Sequence, residues 1–408
     1  MIKYLGCLLL LTLTACEVHV SDDDVKGSGK LAVEKREVGA FKAIEMSGSF
    51  DVVVTGEGQP SVEVSGDDNL ISQVVTTVNG DTLVISRKSH SGIHVNVGVS
   101  DYPLTVKISA ANLERLKNTG SGDMRVEKYH GDKLELVNEG SGDTRIEGRV
   151  GELAVKSNGS GDIDLGQLTA MKISAKMVAS GDTVMGPVSQ ELNIDSSGSG
   201  DVTARAIQMA QVNVVMKGAG DFSMGGQLKG LNLVMSGSGD IDIGDLQADT
   251  ANVVLNGPGN LTLAGKVGEM HAELNGSGDL DTSRLEVARA VVKDVGPGDV
   301  NLSGVSEALE LEALGSGDID ASGLQQAQIK LTMEGSGGVS LKGSAKLLVA
   351  KLSGSGDLDA VSLLADRAQV NVRGSGVAQV KVRKVSDGKG SRDEDARVVK
   401  IDRHGVVQ

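Results

Sequence analysis

Carboxylates recur in pairs two residues apart along much of this 408-residue chain: Asp162 and Asp164, Asp240 and Asp242, Asp279 and Asp281, Asp318 and Asp320, Asp357 and Asp359. Stacked in neighbouring turns of a repeat, they repel by about 3 kcal/mol per pair at an effective dielectric of 20, and by well under that in open water. Two kinds of chemistry offset this. Each carboxylate can accept hydrogen bonds from its own turn, with solvent and salt screening the remainder. Alternatively, Ca²⁺ between adjacent turns would take carboxylate and carbonyl oxygens as ligands, which makes these aspartates the candidate metal residues. The period and spacing differ from the calcium-binding Gly-Gly-x-Gly-x-Asp nonapeptide repeat, so the expectation is no cofactor, with calcium as the open alternative.

Other residue types offer less. The histidines are His19, His90, His94, His130, His271 and His404, and only His90 and His94 lie close together, at an i, i+4 spacing that would suit a metal on a helix but falls in a Ser/Gly-rich β-context, where they read as solvated loop histidines. No Gly-x-Ser-x-Gly elbow sits at a strand-to-helix turn, and the glycine-rich turns open onto strands and not onto phosphate-binding helix N-termini. A catalytic site would interrupt a repeat at one place, whereas the aspartates recur uniformly. No catalytic residue is therefore assigned.

The elements that hold these residues follow from the period. The residue after each Gly-x-Gly or Ala-Ser-Gly is Asp123, Asp143, Asp162, Asp182, Asp201, Asp221, Asp240, Asn260, Asp279, Asp299, Asp318, Gly338, Asp357 and Val377. The spacings alternate 20 and 19, giving a 39-residue unit and about 19.5 residues per coil if each coil uses half of it. One class of turn is Gly-Ser-Gly-Asp each time, and the other drifts from that sequence after Asp143. Glycines are expected to supply positive φ there, and Ser and Asp to close the corner. Each corner leads into an alternating strand, as in Asp162-Ile163-Asp164-Leu165, with the apolar residues inward. A bend and a second alternation follow, with about six inward side chains per coil. The predicted fold is all-β, a β-solenoid or β-helix in which stacked coils at a spacing of ~4.8 Å make a rod of roughly 65 Å.

Glycine numbers 56, Trp is absent, and there are 3 Phe and 3 Tyr, which suits a narrow bore and not a thick core. A formal net charge of −15 excludes nucleic acid as a partner and gives no attraction to anionic lipid. Membrane attachment is instead expected from the N-terminus. Lys3 precedes the apolar run Cys7 to Leu13, which ends in Leu13-Thr14-Ala15-Cys16. That tetrapeptide resembles the lipobox of bacterial lipoproteins, and the resemblance implies cleavage before Cys16 and lipidation of its thiol. Glu17 in place of Asp is similar to lipoproteins sorted to the outer membrane.

The organisation predicted is a signal peptide over 1–15, a flexible tether over 16–30, an N-terminal β region over 31–118 capping the stack, the solenoid over 119–384, and a charged tail over 385–408 whose Arg397–Ile401 segment can add a last strand. A short helix is expected around Asn69 to Val75, with Leu70, Val74 and Val75 on one face.

Phe41-Lys42-Ala43-Ile44, Ser47-Gly48-Ser49-Phe50-Asp51-Val52 and Leu113 to Lys117 leading into Gly120-Ser121-Gly122-Asp123 resemble the bacterial auto-transporter adhesin head (GIN) domain family, over roughly residues 38–220 with similar repeats to about 380. The resemblance implies a fold similar to pectin-lyase-like solenoids, export to the cell envelope and a role in adhesion. It carries no catalytic residues to transfer. The function expected is a lipid-anchored envelope adhesin or scaffold with a protein or glycan ligand. The alternatives are a polysaccharide-active or polysaccharide-binding β-helix, and an envelope protein that self-assembles into homo-oligomers.

Overall fold

The computed structural model describes residues 26–88, 102–383 and 396–407. The signal-peptide and lipidation readings, Cys16 included, lie outside the described residues, as do His19, His90 and His94. Within them the chain is a β-solenoid, strands joined by tight corners, with one 3₁₀ turn at Ile71–Gln73. That turn replaces the short helix expected over Asn69 to Val75. Val74 already begins the next strand, so only one turn fits, and it buries Leu70 and Ile71.

The coil is 19 to 20 residues long. Thr144 pairs in parallel with Met124 on one side and Ile163 on the other, and the same displacement repeats along the stack. The glycine corners therefore lie over one another in one column, as expected for a slim coil and not for a 39-residue one. In the coil Ile241–Leu255 the six residues Ile241, Ile243, Leu246, Ala251, Val253 and Leu255 are buried, while Asp242, Asn252 and Thr250 face out. Alternation thus fills the bore with Val, Ile, Leu, Met and Ala, each fully buried Val, Ile, Leu or Met contributing roughly 1.5–3 kcal/mol.

The stack starts before the first Gly-Ser-Gly-Asp. Strands β1 (Leu31–Arg36), β2 (Ala43–Ser47), β3 (Asp51–Thr55), β4 (Ser61–Asp67), β5 (Val74–Asn79), β6 (Thr82–Arg87), β7 (Thr105–Ser109), β8 (Arg115–Asn118) and β9 (Met124–Asn138) form the N-terminal part. β2 and β3 are already a coil, because β8 stacks in parallel on β2 and β9 on β3. The chain leaves this coil between β3 and β8. β6 and β7 return parallel beneath β2 and β3, with β5 antiparallel to β6, and β4 and then β1 antiparallel beyond β7. The switch to antiparallel pairing ends the parallel stack at this end. At the other end Ala396–Asp402 pairs antiparallel with Ala378–Arg383, and Gly405–Val407 pairs antiparallel with it in turn.

Candidate functional site

The corner glycines act differently from the expectation. None of them has φ in the left-handed region; the positive-φ glycines sit elsewhere, among them Gly148, Gly226, Gly265 and Gly343 at the mid-coil bend. What the corners require is the absence of a Cβ. A Cβ on Gly237 would lie 1.9 Å from the carbonyl oxygen of Gly218, and one on Gly239 would lie 2.1 Å from that of Gly220. Each corner thus rests backbone on backbone against the preceding one. The amide-to-carbonyl bond that Ser160 makes to Gly140 at 3.0 Å and Ser199 to Ala179 at 3.1 Å recurs at most corners, with no counterpart from Ser180 or Ser277.

The marker aspartates complete the same corner. The N–H of Asp143 donates to Asp123 Oδ1 at 2.9 Å, that of Asp182 to Asp162 at 2.8 Å, that of Asp240 to Asp221 at 2.7 Å, and that of Asp299 to Asp279 at 2.8 Å. Asp318 accepts from Gly338 and Asp357 from Val377, each at 2.7 Å. The acceptor is therefore the side chain of the preceding coil and the donor the amide of the next, which differs from a bond within the carboxylate's own turn. The path of the main chain explains it. The ladder breaks at the corner, where a marker N–H would lack a carbonyl, and the carboxylate stands in for one. An amide oxygen also suffices, since Asp279 N–H donates to Asn260 Oδ1 at 3.0 Å.

The two ends of the column fit this account. Gly48-Ser49-Phe50-Asp51 is the first corner, with the Asp123 N–H 3.2 Å from Asp51 Oδ1. Phe50, itself buried, stands where later corners carry glycine. Val377 stands where most earlier corners carry Asp, and among the described residues no later marker amide faces it. Val377 was legible as the last marker of the series, whereas the first corner was hidden in the sequence by the 72-residue gap between Asp51 and Asp123.

The second carboxylate of each pair behaves separately. Asp164, Asp281 and Asp359 accept the amides two residues on, from Gly166 at 2.9 Å, Ser283 at 2.8 Å and Val361 at 3.1 Å. Ser283, through its hydroxyl and then its amide, holds the Asp281 carboxyl below its usual range. Asp164 also pairs with Arg145 at 3.2 Å and Asp320 with Lys342 at 2.7 Å, and Asp242 is exposed on the same outward row. The members of a pair point out of the coil side by side, but their bonds run to different groups. Among the described residues no group of three or more His, Cys, Asp or Glu is placed to hold a metal ion.

These bonds make a prediction. Asp240→Ala is expected to cost about 1 kcal/mol, below the roughly 1.5–3 kcal/mol of a hydrogen bond to a charged group because the site is exposed. Asp240→Asn, which restores an amide oxygen as in Asn260, is expected to match the parent. Urea melts of both variants check this, and equal losses from both would refute the acceptor role. Melting is expected to be the same with excess calcium and with chelator.

The long outward face is laced by pairs between coils, including Lys156 to Glu135 at 2.8 Å, Lys217 to Asp195 at 2.8 Å and Lys293 to Glu273 at 3.3 Å. It is interrupted by a row of amides that sequence reading missed. Asn213 Nδ2 donates to Asn193 Oδ1 at 2.7 Å, Asn232 to Asn213 at 2.8 Å, and Asn252 to Asn232 at 2.9 Å, and Asn193 itself donates to Glu191 at 3.0 Å. The signal was present as asparagines spaced 20, 19 and 20 residues apart, outside the glycine motif.

One buried acid was also missed. Asp294 has no exposed surface and neither carboxyl oxygen has a hydrogen-bond partner. Burial pushes its pKa up to about 6, opposed by the nearby Gly296 amide and reinforced by Asp299. That amide is itself bonded to the Leu274 carbonyl at 3.1 Å. Asn118 and Asn138 hold the same inward column near the start of the stack, and their amides donate to the corner carbonyls of Gly122 at 3.1 Å and Gly161 at 3.2 Å.

The profile of the family described as "Putative auto-transporter adhesin, head GIN domain" matches residues 40–227, 188–263, 226–323 and 303–398. Among solved structures the chain is similar to a "putative adhesin" from Parabacteroides merdae, with 18% identity, 78% of this chain and 98% of that one covered, and a TM-score of 0.28. A "putative adhesin" from Bacteroides fragilis shows 15% identity, coverage of 77% and 98%, and a TM-score of 0.25. A "putative lipid binding protein" from Parabacteroides distasonis shows 19% identity, coverage of 78% and 98%, and a TM-score of 0.24. No curated protein matches. With overlapping matches that run from residue 40 to residue 398, the chain belongs to the auto-transporter adhesin head GIN domain family.

Proposed function

We propose that this protein is a lipid-anchored adhesin or interaction scaffold of the cell envelope, tethered through Cys16 to the outer membrane, whose solenoid presents outward faces to a ligand without catalysing a reaction. The observation that supports it is the use made of the marker carboxylates. They tie each coil to the next from Asp51 to Gly338 and again from Asp357 to Val377, with one break where Gly338 has no side chain to offer Asp357, which suits a stiff display rod. Family membership supports a location at the cell surface or envelope.

Two measurements test this reading. Cys16→Ala is expected to abolish incorporation of a labelled fatty acid and to move the protein from the membrane to the soluble fraction. Unchanged labelling would remove the anchor. Protease added to intact cells is expected to cut the parent protein, and cells lacking it are expected to attach less well. Full protection together with unchanged attachment would remove the adhesive role.

A further inference from the structure

Three coils of the long outward face differ from the rest. Gln211, Asn213 and Val215 pair in register with Gly230, Asn232 and Val234, and these with Thr250, Asn252 and Val254. None of the nine is charged, in a chain whose net charge is −15. The rows on either side return to charge, with Glu191 and Asp195 before the window and Glu269 and Glu273 after it. Those acids are occupied at their own edges, Asp195 by Lys217 at 2.8 Å, Glu273 by Lys293 at 3.3 Å, and Glu269 by His271 at 3.2 Å and Arg289 at 3.6 Å.

The window is ordered as well as neutral. The amide row points one way, each Nδ2 toward the preceding coil, and ends on the Glu191 carboxylate. A carboxamide has two N–H donors and two acceptor lone pairs, so each bonded rung keeps one donor and one acceptor for a ligand. Beside this row, Gly230 is buried beneath the polar side chains of its two neighbours, which close over it. The Gln211 carboxamide oxygen and the Thr250 hydroxyl lie 2.9 and 3.0 Å from where a Cβ of Gly230 would be. On the other side Val215, Val234 and Val254 form a half-buried apolar stripe.

Size decides what fits. Three coils at ~4.8 Å and five strand residues at ~3.3 Å cover roughly 250 Å². A stable protein–protein interface needs about 800 Å² from each partner, so neither a second copy nor a protein partner is matched by this window. A linear chain lying along the rod meets hydroxyl-binding amides and an apolar stripe at each coil. Charged polymers gain no ion pair within it.

We infer that the window Gln211–Val215, Gly230–Val234 and Thr250–Val254 binds a neutral, unbranched oligosaccharide lying along the solenoid axis, with the Asn213, Asn232 and Asn252 amides on its hydroxyls and the valine stripe against its C–H face. This rests on the adhesive reading and names the class of ligand for it.

The test is calorimetric titration of the full chain in detergent with cellohexaose, mannohexaose, xylohexaose and polygalacturonate. Binding of at least one neutral hexasaccharide is expected, with at least about a tenfold loss in Asn232→Lys. Thr250→Lys is expected to lose as much without touching the amide row, and Gln247→Lys, exposed outside the window, to stay within about twofold of the parent. The inference is overturned if no neutral probe binds, if polygalacturonate alone binds, or if both window variants bind as the parent does. It is equally overturned if sedimentation shows the parent to self-associate through this face and the variants not to. In each of these cases cells that still need the protein to attach leave the adhesive reading standing.

Discussion

Gly237→Ala is expected to destabilise the solenoid by at least about 2 kcal/mol, with the loss concentrated in the coils around it. The added methyl meets a backbone oxygen, that of Gly218, at 1.9 Å, and no rotamer change can move it away. The coils must separate locally, which breaks the amide bonds from Ser238 to Gly218 at 3.1 Å and from Gly237 to Met216 at 3.3 Å. Gly244→Ala is the control. Its Cβ meets nothing within 4 Å, so the change is expected to be neutral or to stabilise by a few tenths of a kcal/mol. Hydrogen exchange of the Met216–Leu255 amides reads both outcomes. Equal protection in the two variants would mean that the corner glycines are not held by stacking.

Asp294→Asn is expected to stabilise the protein above pH 6, by up to about 3 kcal/mol, and to gain progressively less as the pH falls toward 4. The sign follows from the raised pKa. Burial favours the protonated acid, with a folded value of about 6 against an ordinary 3.8. Asp294 therefore supports the fold most fully below pH 4, and that support is lost as pH rises through 6. The Asp299 carboxylate of its own corner reinforces the shift, and the corner carboxylates of the adjacent coils are Asp279 and Asp318. The coils on either side place Leu274 and Ala313 in the same column, so no partner comes from them. An asparagine carries no charge at any of these pH values, and it can donate to a corner carbonyl as Asn118 and Asn138 do. Urea melts of parent and variant at pH 5 and pH 8 measure the difference between them, from which the other titrating groups cancel. A gap that does not widen between the two pH values would show that Asp294 stays ionised throughout.

Much of the corner column could be read from spacing alone. The 20 and 19 alternation identified which residues stack, and alternation within Asp162-Ile163-Asp164-Leu165 identified Ile163 and Leu165 as inward. The Asn193, Asn213, Asn232 and Asn252 row has the same period, but it sits in variable strand positions where nothing local distinguishes it from ordinary surface. Asp294 is in phase with the inward Ala290 and Val292, but an acid at the last position of a strand reads in sequence as the first polar residue of the corner. Only its place in the inward column below the corner reveals that water is excluded from it.

The amino-acid sequence by itself determined the 39-residue repeat, the inward and outward faces and the place of each corner, because all three are periodic properties of a chain that repeats, whereas the parallel register of neighbouring strands decided that each coil uses half of the repeat. The tertiary structure decided what the corner residues do. Whether a glycine is needed for φ or for closeness, and whether an aspartate bonds its own turn or the next coil, depends on the backbone of the neighbouring coil, some 20 residues away in sequence. That neighbour brings a carbonyl oxygen within about 2 Å of the absent Cβ and an unpaired amide within 3 Å of the carboxylate, and these two contacts define the corner.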